Sequence, residues 1–123
     1  RPTSGQLTSG FGYRIHPILK KRRMHKGIDI VSGYGSKVKA AAGGTVTYSG
    51  YMGSYGNLVV INHQNGFETR YAHNSALKVK KGERVRQGQT VALVGNTGRS
   101  SGTHLHFEIW KNGEAIDPIH YLK

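Results

Sequence analysis

Apolar and polar positions alternate in short runs along most of this chain, and turn residues close each run. Residues 37–40, 44–48, 57–62 and 90–94 are rich in β-branched side chains and bounded by glycine, asparagine or serine, which predicts strands. Gln64-Asn65-Gly66 and Lys111-Asn112-Gly113 carry the Asn-Gly dipeptide favoured in tight hairpin turns. The first predicts a hairpin between 61–63 and 67–71. Helical periodicity is missing, with one short helical turn expected within 71–77. The pattern predicts an all-β fold, a compact antiparallel sandwich or barrel-sandwich hybrid with long loops around a groove.

An internal repeat supports that architecture. Gly35-Ser36-Lys37-Val38-Lys39 parallels Gly82-Glu83-Arg84-Val85-Arg86, and Gly43-Gly44-Thr45-Val46 parallels Gly88-Gln89-Thr90-Val91. Gly50 matches Gly95 at the same offset. Two strand-turn-strand units about 45 residues apart are expected to pack against each other with pseudo-twofold symmetry; two copies are too few for a solenoid.

Length changes this picture little. The chain of 123 residues suits one domain, 1–123, that buries roughly two thirds of its unfolded surface. No run of 18 apolar residues is present, so no spanning helix is expected. A start at Arg1 leads us to expect a processed form or an excised domain. Without cysteine, thiolate zinc sites and disulfides are excluded.

Charge adds more. A net charge of +12 favours an anionic partner: nucleic acid, anionic lipid or an anionic wall polymer. Lys20-Lys21-Arg22-Arg23 with Lys26 forms one basic group. Lys78, Lys80, Lys81, Arg84 and Arg86 form another. Either group is also read as solvated loops and strand faces.

Candidate chemistry lies in the histidines. In Gly102-Thr103-His104-Leu105-His106-Phe107-Glu108-Ile109-Trp110, a strand places His104, His106 and Glu108 on one face and Leu105, Phe107 and Ile109 on the other. Two adjacent imidazoles can serve one metal or one substrate; taken alone, the pair also fits surface histidines. His25 and Asp29 are four apart in a stretch whose Gly27, Ile28 and Ile30 favour extended structure, with Asp29 on the side of His25. Imidazole plus carboxylate suits zinc, although the spacing alone is weak. His73 follows the predicted strand at Tyr71-Ala72, where a structural role is the plainer one. His16, His63 and His120 are taken as non-ligands.

Taken in order, Met24-His25-x-Gly27-x-Asp29, Tyr71-Ala72-His73 and Gly98-x-x-x-Gly102-x-His104-Leu105-His106-Phe107-Glu108 closely resemble the lysostaphin-type (LytM-like) zinc metallopeptidases. The resemblance runs from about Gly10 to Leu122 and includes Gly43-x-x-Val46 and Asp117-Pro118. It implies that His25, Asp29 and His106 hold one Zn²⁺, and that His104 and His73 are catalytic. One of these two would move the proton of an attacking water and the other would hydrogen-bond the developing oxyanion. Zinc acidifies water and polarises a scissile carbonyl.

The resemblance further implies hydrolysis of peptide cross-links in bacterial peptidoglycan, at an extracytoplasmic location. Ser9-Gly10-Phe11-Gly12-Tyr13-Arg14-Ile15-His16-Pro17 and Gly27-Ile28-Asp29-Ile30 favour the D-Ala–diaminopimelate bond, with a glycyl-glycine bond as the alternative. A non-catalytic wall-binding or amidase-activating module of the same fold is the non-enzymatic rival; no ligand loss supports it. The segment at residues 80–89 resembles half of a lipoyl or biotinyl carrier but lacks the lysine at a hairpin tip. Nucleic-acid binding leaves the histidines unexplained. Tyr34, Tyr48, Tyr51 and Tyr55 are candidates to line a groove, or ordinary strand and turn residues.

Overall fold

The structure, a computed structural model, describes residues 2–15, 22–98, 100 and 102–121, and for 8, 9, 13–15, 22–25, 120 and 121 the backbone alone. Among the described residues the strands are β1 (Gln6–Ser9), β2 (Gly12–Ile15), β3 (Arg22–His25), β4 (Ile28–Val31), β5 (Lys37–Lys39), β6 (Gly44–Tyr51), β7 (Asn57–Asn62), β8 (Phe67–Leu77), β9 (Arg84–Val85), β10 (Thr90–Val94), β11 (His104–Lys111) and β12 (Glu114–Ile116). Short 3₁₀ turns at Gly53–Tyr55 and Pro118–Tyr121 complete the elements. The all-β expectation holds. No helix among the described residues is long and apolar enough to cross a membrane.

Ten strands form one antiparallel sheet in the order β1-β4-β11-β8-β7-β6-β9, with β12 on β11, and with β10 pairing both β8 and β5; β2 and β3 form a separate ribbon. The two Asn-Gly signals close the β7–β8 and β11–β12 hairpins, with Asn65 at φ 63° and Asn112 at φ 51°. Asparagine tolerates this left-handed backbone better than most residues.

The two repeats are interlocked. β5 of the first unit pairs β10 of the second, while β9 of the second pairs β6 of the first. Gly35 N donates to Val94 O at 2.8 Å and Val94 N to Ser36 O at 2.8 Å. Gly82 N donates to Val46 O at 2.7 Å and Val46 N to Glu83 O at 2.9 Å. Each unit thus clasps a valine of the other in the same way. Val38 and Val85 are buried between exposed basic neighbours, Lys37 and Lys39 in one unit and Arg84 and Arg86 in the other.

One face of the sheet holds the main core: Ile28, Ile30, Val59, Ile61, Tyr71, Leu105 and Phe107 are all buried there. Fully burying such side chains contributes about 1.5–3 kcal/mol each. Tyr71 stacks on Phe107 at 5.3 Å. Its hydroxyl accepts from Ala41 N at 2.9 Å, and burial first of all pushes this phenol up to about 12. Leu58, Val60 and Ala72 form a smaller cluster with Tyr48 and Tyr55. The odd residues of β11 bury the core, which leaves its even residues to the opposite face.

Two expectations are corrected. Residues 71–77 are not helical: they are the second half of β8. Nor is 24–30 one extended run. β3 ends at His25 and belongs to the ribbon, whereas β4 starts at Ile28 in the large sheet. The break falls at Lys26-Gly27, where a Cβ on Gly27 would overlap the Phe107 carbonyl. The glycine lets the chain approach β11 closely, and strand alternation does not carry across it.

Candidate active site

The site is built outward from the centre of the sheet. β11 lies between β4 and β8, and His106 stands opposite Asp29 on one neighbour and Ala72 on the other. Directly paired residues share a face, so Asp29 and His106 meet: His106 Nδ1 lies 2.8 Å from Asp29 Oδ1. His104, two residues away on the same face, places Nε2 3.5 Å from the same oxygen. The predicted alternation of His104, His106 and Glu108 is thereby realised.

Glu108 holds the other edge of His106. Its Oε2 lies 2.7 Å from His106 Nε2. Its Oε1 accepts from Trp110 Nε1 at 2.7 Å and from the Tyr55 hydroxyl at 3.0 Å. Glu108 is 2% exposed. Burial alone raises a carboxyl pKa, but the bonds from His106, Trp110 and Tyr55 outweigh it and hold Glu108 below its ordinary value. Burial also pulls His106 down, and here too the carboxylates win: Asp29 and Glu108 push the imidazole up to about 9. The pocket between them favours positive charge.

His73 reaches the same face by a different route. It sits in β8 between Ala72, which pairs His106, and Asn74, which pairs Val94 of β10. Regular alternation would send its side chain to the face opposite Ala72. Instead His73 has φ 64°, a left-handed backbone uncommon outside glycine. The ring arrives 5.0 Å from that of His104 and 6.0 Å from that of His106, centre to centre. The sheet branches at this residue, with β11 on one side and β10 on the other.

A polar clasp holds the bend. His73 Nδ1 donates to Thr97 O at 2.7 Å. Thr97 Oγ1 donates to Asn74 O at 2.6 Å and accepts from Asn57 N at 3.1 Å. Asn57 and Asn74 exchange side-chain bonds to each other's carbonyls at 3.1 and 2.9 Å. Burial is the largest influence on His73 and lowers its pKa, with the neighbouring imidazoles acting in the same direction against the Thr97 bond. The ring is therefore neutral at pH 7. His104 Nδ1 likewise donates to a backbone carbonyl, that of Gly102, at 3.0 Å. Both rings keep Nε2 away from these anchors.

Of the expected ligands, Asp29 and His106 converge and His104 lies beside them. The backbone of His25 ends β3, three residues before β4, and its side chain lies outside those described. Among the described residues no group of three or more metal-ligating side chains is found. The two that meet nevertheless suit zinc: one carboxylate, one imidazole, and a buried carboxylate behind that imidazole, the outer partner that fixes such ligands.

The remaining sequence expectations divide. His63 is engaged at both nitrogens, with Gly43 O and Thr69 Oγ1 each at 2.7 Å. His16 and the side chain of His120 lie outside the described residues. Tyr55 faces the site, with its ring 6.3 Å from that of His106. Tyr48 packs on the small cluster, whereas Tyr34 and Tyr51 are exposed. Sequence reasoning placed Glu108 on the histidine face but gave it no part. It also missed Thr97, Arg70 and Trp110. Arg70 bonds Glu68 at 2.7 Å and the Tyr55 hydroxyl at 3.2 Å, and lies 4.3 Å above the Trp110 ring.

Comparison with known proteins places this geometry. Residues 23–118 match the model of peptidase family M23. The chain is 48% identical over 114 residues to a DD-carboxypeptidase/endopeptidase, Mpg, of Neisseria meningitidis, covering 93% of this chain and 26% of that protein. It is 38% identical to the murein hydrolase activator NlpD of Salmonella typhimurium, covering 98% and 30%. Among solved structures, a zinc-containing peptidase from Vibrio cholerae superposes with a TM-score of 0.90 at 38% identity, covering 94% of this chain and 37% of that one. The chain thus spans about a quarter to a third of the two curated relatives.

Proposed function

This chain belongs to peptidase family M23, and on that premise we propose that it is a zinc endopeptidase of bacterial peptidoglycan. The observation that carries this reading is the convergence of Asp29, His104 and His106 on one face, with His73 turned onto that face by its left-handed backbone. In this reading His25, Asp29 and His106 hold one Zn²⁺. The metal supplies Lewis acidity and an acidified water.

His73 and His104 supply the proton transfers. Each donates Nδ1–H to a fixed backbone carbonyl, of Thr97 and Gly102 respectively. That leaves Nε2 of each ring placed to take a proton from the attacking water, return one to the leaving amine or, once protonated, bond the developing oxyanion. Such positioned acid–base catalysis contributes typically ~10²–10⁴-fold. Burial, which keeps His73 neutral at pH 7, suits a group that must accept a proton.

The bond cleaved is D-Ala–diaminopimelate, a reading supported by the lead-in at residues 9–17 and by the similarity to a DD-carboxypeptidase/endopeptidase. Glycyl-glycine cleavage is the alternative. The substrate places the chain outside the cytoplasm. Exposed Lys37, Lys39, Arg84 and Arg86 and the net charge of +12 suit anionic wall polymers. The similarity to an NlpD activator favours a second reading, a non-catalytic module that acts on another wall hydrolase. Against it, His25, Asp29, His73, His104 and His106 are all kept here.

The test is digestion of purified sacculi by the zinc-loaded chain. Release of soluble fragments that stops with a chelator and returns with zinc supports the proposal. Unchanged sacculi with one zinc bound per chain favour the activator reading.

A further inference from the structure

We propose that a cavity at the far end of the catalytic face is a subsite for the glycan of the wall substrate, built to take a neutral acetamido-sugar ring. This deepens the peptidase reading and rests on it. The sheet register lays the face out in rows, because directly paired residues share a face. In the first row His106 stands between Asp29 and Ala72. In the second, Glu108 pairs Arg70, which pairs Val60. In the third, Trp110 pairs Glu68, which pairs Asn62. This third row, with Thr47 and Arg70, lines a cavity of about 470 Å³. Sites for small ligands usually have ~300–1,000 Å³.

Two hairpin turns close its end. Gly66 of the β7–β8 turn and Gly113 of the β11–β12 turn line the cavity. The turns lock together: Asn112 N donates to Gly66 O at 3.0 Å, and a Cβ on Gly66 would overlap the Asn112 side-chain oxygen. The two Asn-Gly signals thus give the cavity a fixed wall. Trp110 ties it to the catalytic centre, since its indole N–H donates to Glu108 Oε1 at 2.7 Å.

The lining selects the class of ligand. Glu68 and Arg70 are its charged members, and they pair with each other at 2.7 Å, so a charged ligand gains little there. The Asn62 amide and the Thr47 hydroxyl each both donate and accept, and the Glu68 carboxylate accepts. Sugar hydroxyls and an acetamido group, which also do both, match that set. The Trp110 ring adds an apolar surface for the body of the sugar.

Spacing along the face agrees. Each row lies about 6.8 Å from the next, so the cavity begins about 14 Å from His106. An extended peptide covers that span in about four residues. Cross-linked wall peptides are short branches from a sugar polymer, so a substrate cut at the metal carries its glycan within that reach.

The test compares two soluble dimers joined by the same peptide cross-link, one bare and one carrying its disaccharides, with the zinc-loaded chain. Wild type is expected to show a KM about 10-fold lower for the glycan-bearing dimer, the size expected of one or two neutral hydrogen bonds. Asn62→Ala combined with Thr47→Val is expected to raise that KM until it meets the value for the bare dimer. In a second measurement, a soluble N-acetylglucosamine oligomer is titrated into the wild-type chain and followed by NMR. Shifts are expected at the Asn62 side-chain amide and the Trp110 indole. Equal KM values for the two dimers in wild type overturn the proposal, and so does an oligomer that leaves both signals unmoved; neither result depends on a variant folding. A chain that cleaves neither dimer overturns the peptidase reading, and the titration then decides the subsite by itself.

Discussion

Asp29 and His106 face each other across the β4–β11 ladder, with Oδ1 2.8 Å from Nδ1. Neither side chain reaches the other through a flexible loop. Both are fixed by strand pairing, so the cation-favouring pocket between them is a property of the sheet register. A slip of one residue on either strand would send one partner to the core face.

Asp29→Ala is expected to abolish both zinc binding and cleavage. The strand should survive, because Ile28 and Ile30 on its other face carry its burial. Metal content and circular dichroism of the purified variant check this. A variant with full zinc occupancy contradicts the ligand role.

His104→Ala is expected to keep the metal and lose activity by about 10²–10⁴-fold, the usual contribution of a positioned acid or base. Zinc content and hydrolysis rate are read on the same sample. Loss of zinc together with activity would move His104 into the ligand set.

His73 carries a backbone that most residues avoid, at φ 64°. His73→Asn is expected to fold with little loss of stability, since asparagine tolerates this conformation, yet to be inactive. His73→Val, with a β-branched side chain, is expected to lose about 1–3 kcal/mol more. Urea unfolding of the pair reads the difference, and equal stabilities would show that the backbone carries no strain there.

Stripped of metal, the chain should lose stability as pH rises. The His106 imidazolium lies between Asp29 and Glu108, with its pKa raised from 6.5 to about 9. A raised folded-state pKa means that the stabilisation is complete below 6.5 and is lost as pH climbs through about 9. The melting temperature of the metal-free chain is therefore expected to fall across that window. Asp29→Asn should flatten the fall, and a flat profile for the parent chain would contradict it.

The period-two pattern made much of this legible. It located β6, β7, β10 and β11, both Asn-Gly hairpins, and the shared face of His104, His106 and Glu108. The repeat was also visible, although not the exchange of partners by which β5 joins β10 and β9 joins β6. The missed parts are those where periodicity breaks. One left-handed residue turns His73 to the other face, and nothing in Tyr71-Ala72-His73 marks it. The break at Gly27 separates His25 from Asp29 because another strand's carbonyl crowds it. Tyr55 meets Glu108 from 53 positions away, and only the folded chain brings them together.

The most direct test of peptidoglycan endopeptidase action is digestion of a defined dimeric muropeptide, cross-linked between D-Ala and diaminopimelate, by the zinc-loaded chain, with products identified by mass spectrometry. Two monomers whose masses together exceed the dimer by one water, one with a new D-Ala carboxyl and the other with a freed diaminopimelate amine, are the expected result. Intact dimers alongside a chain with its zinc in place would contradict it.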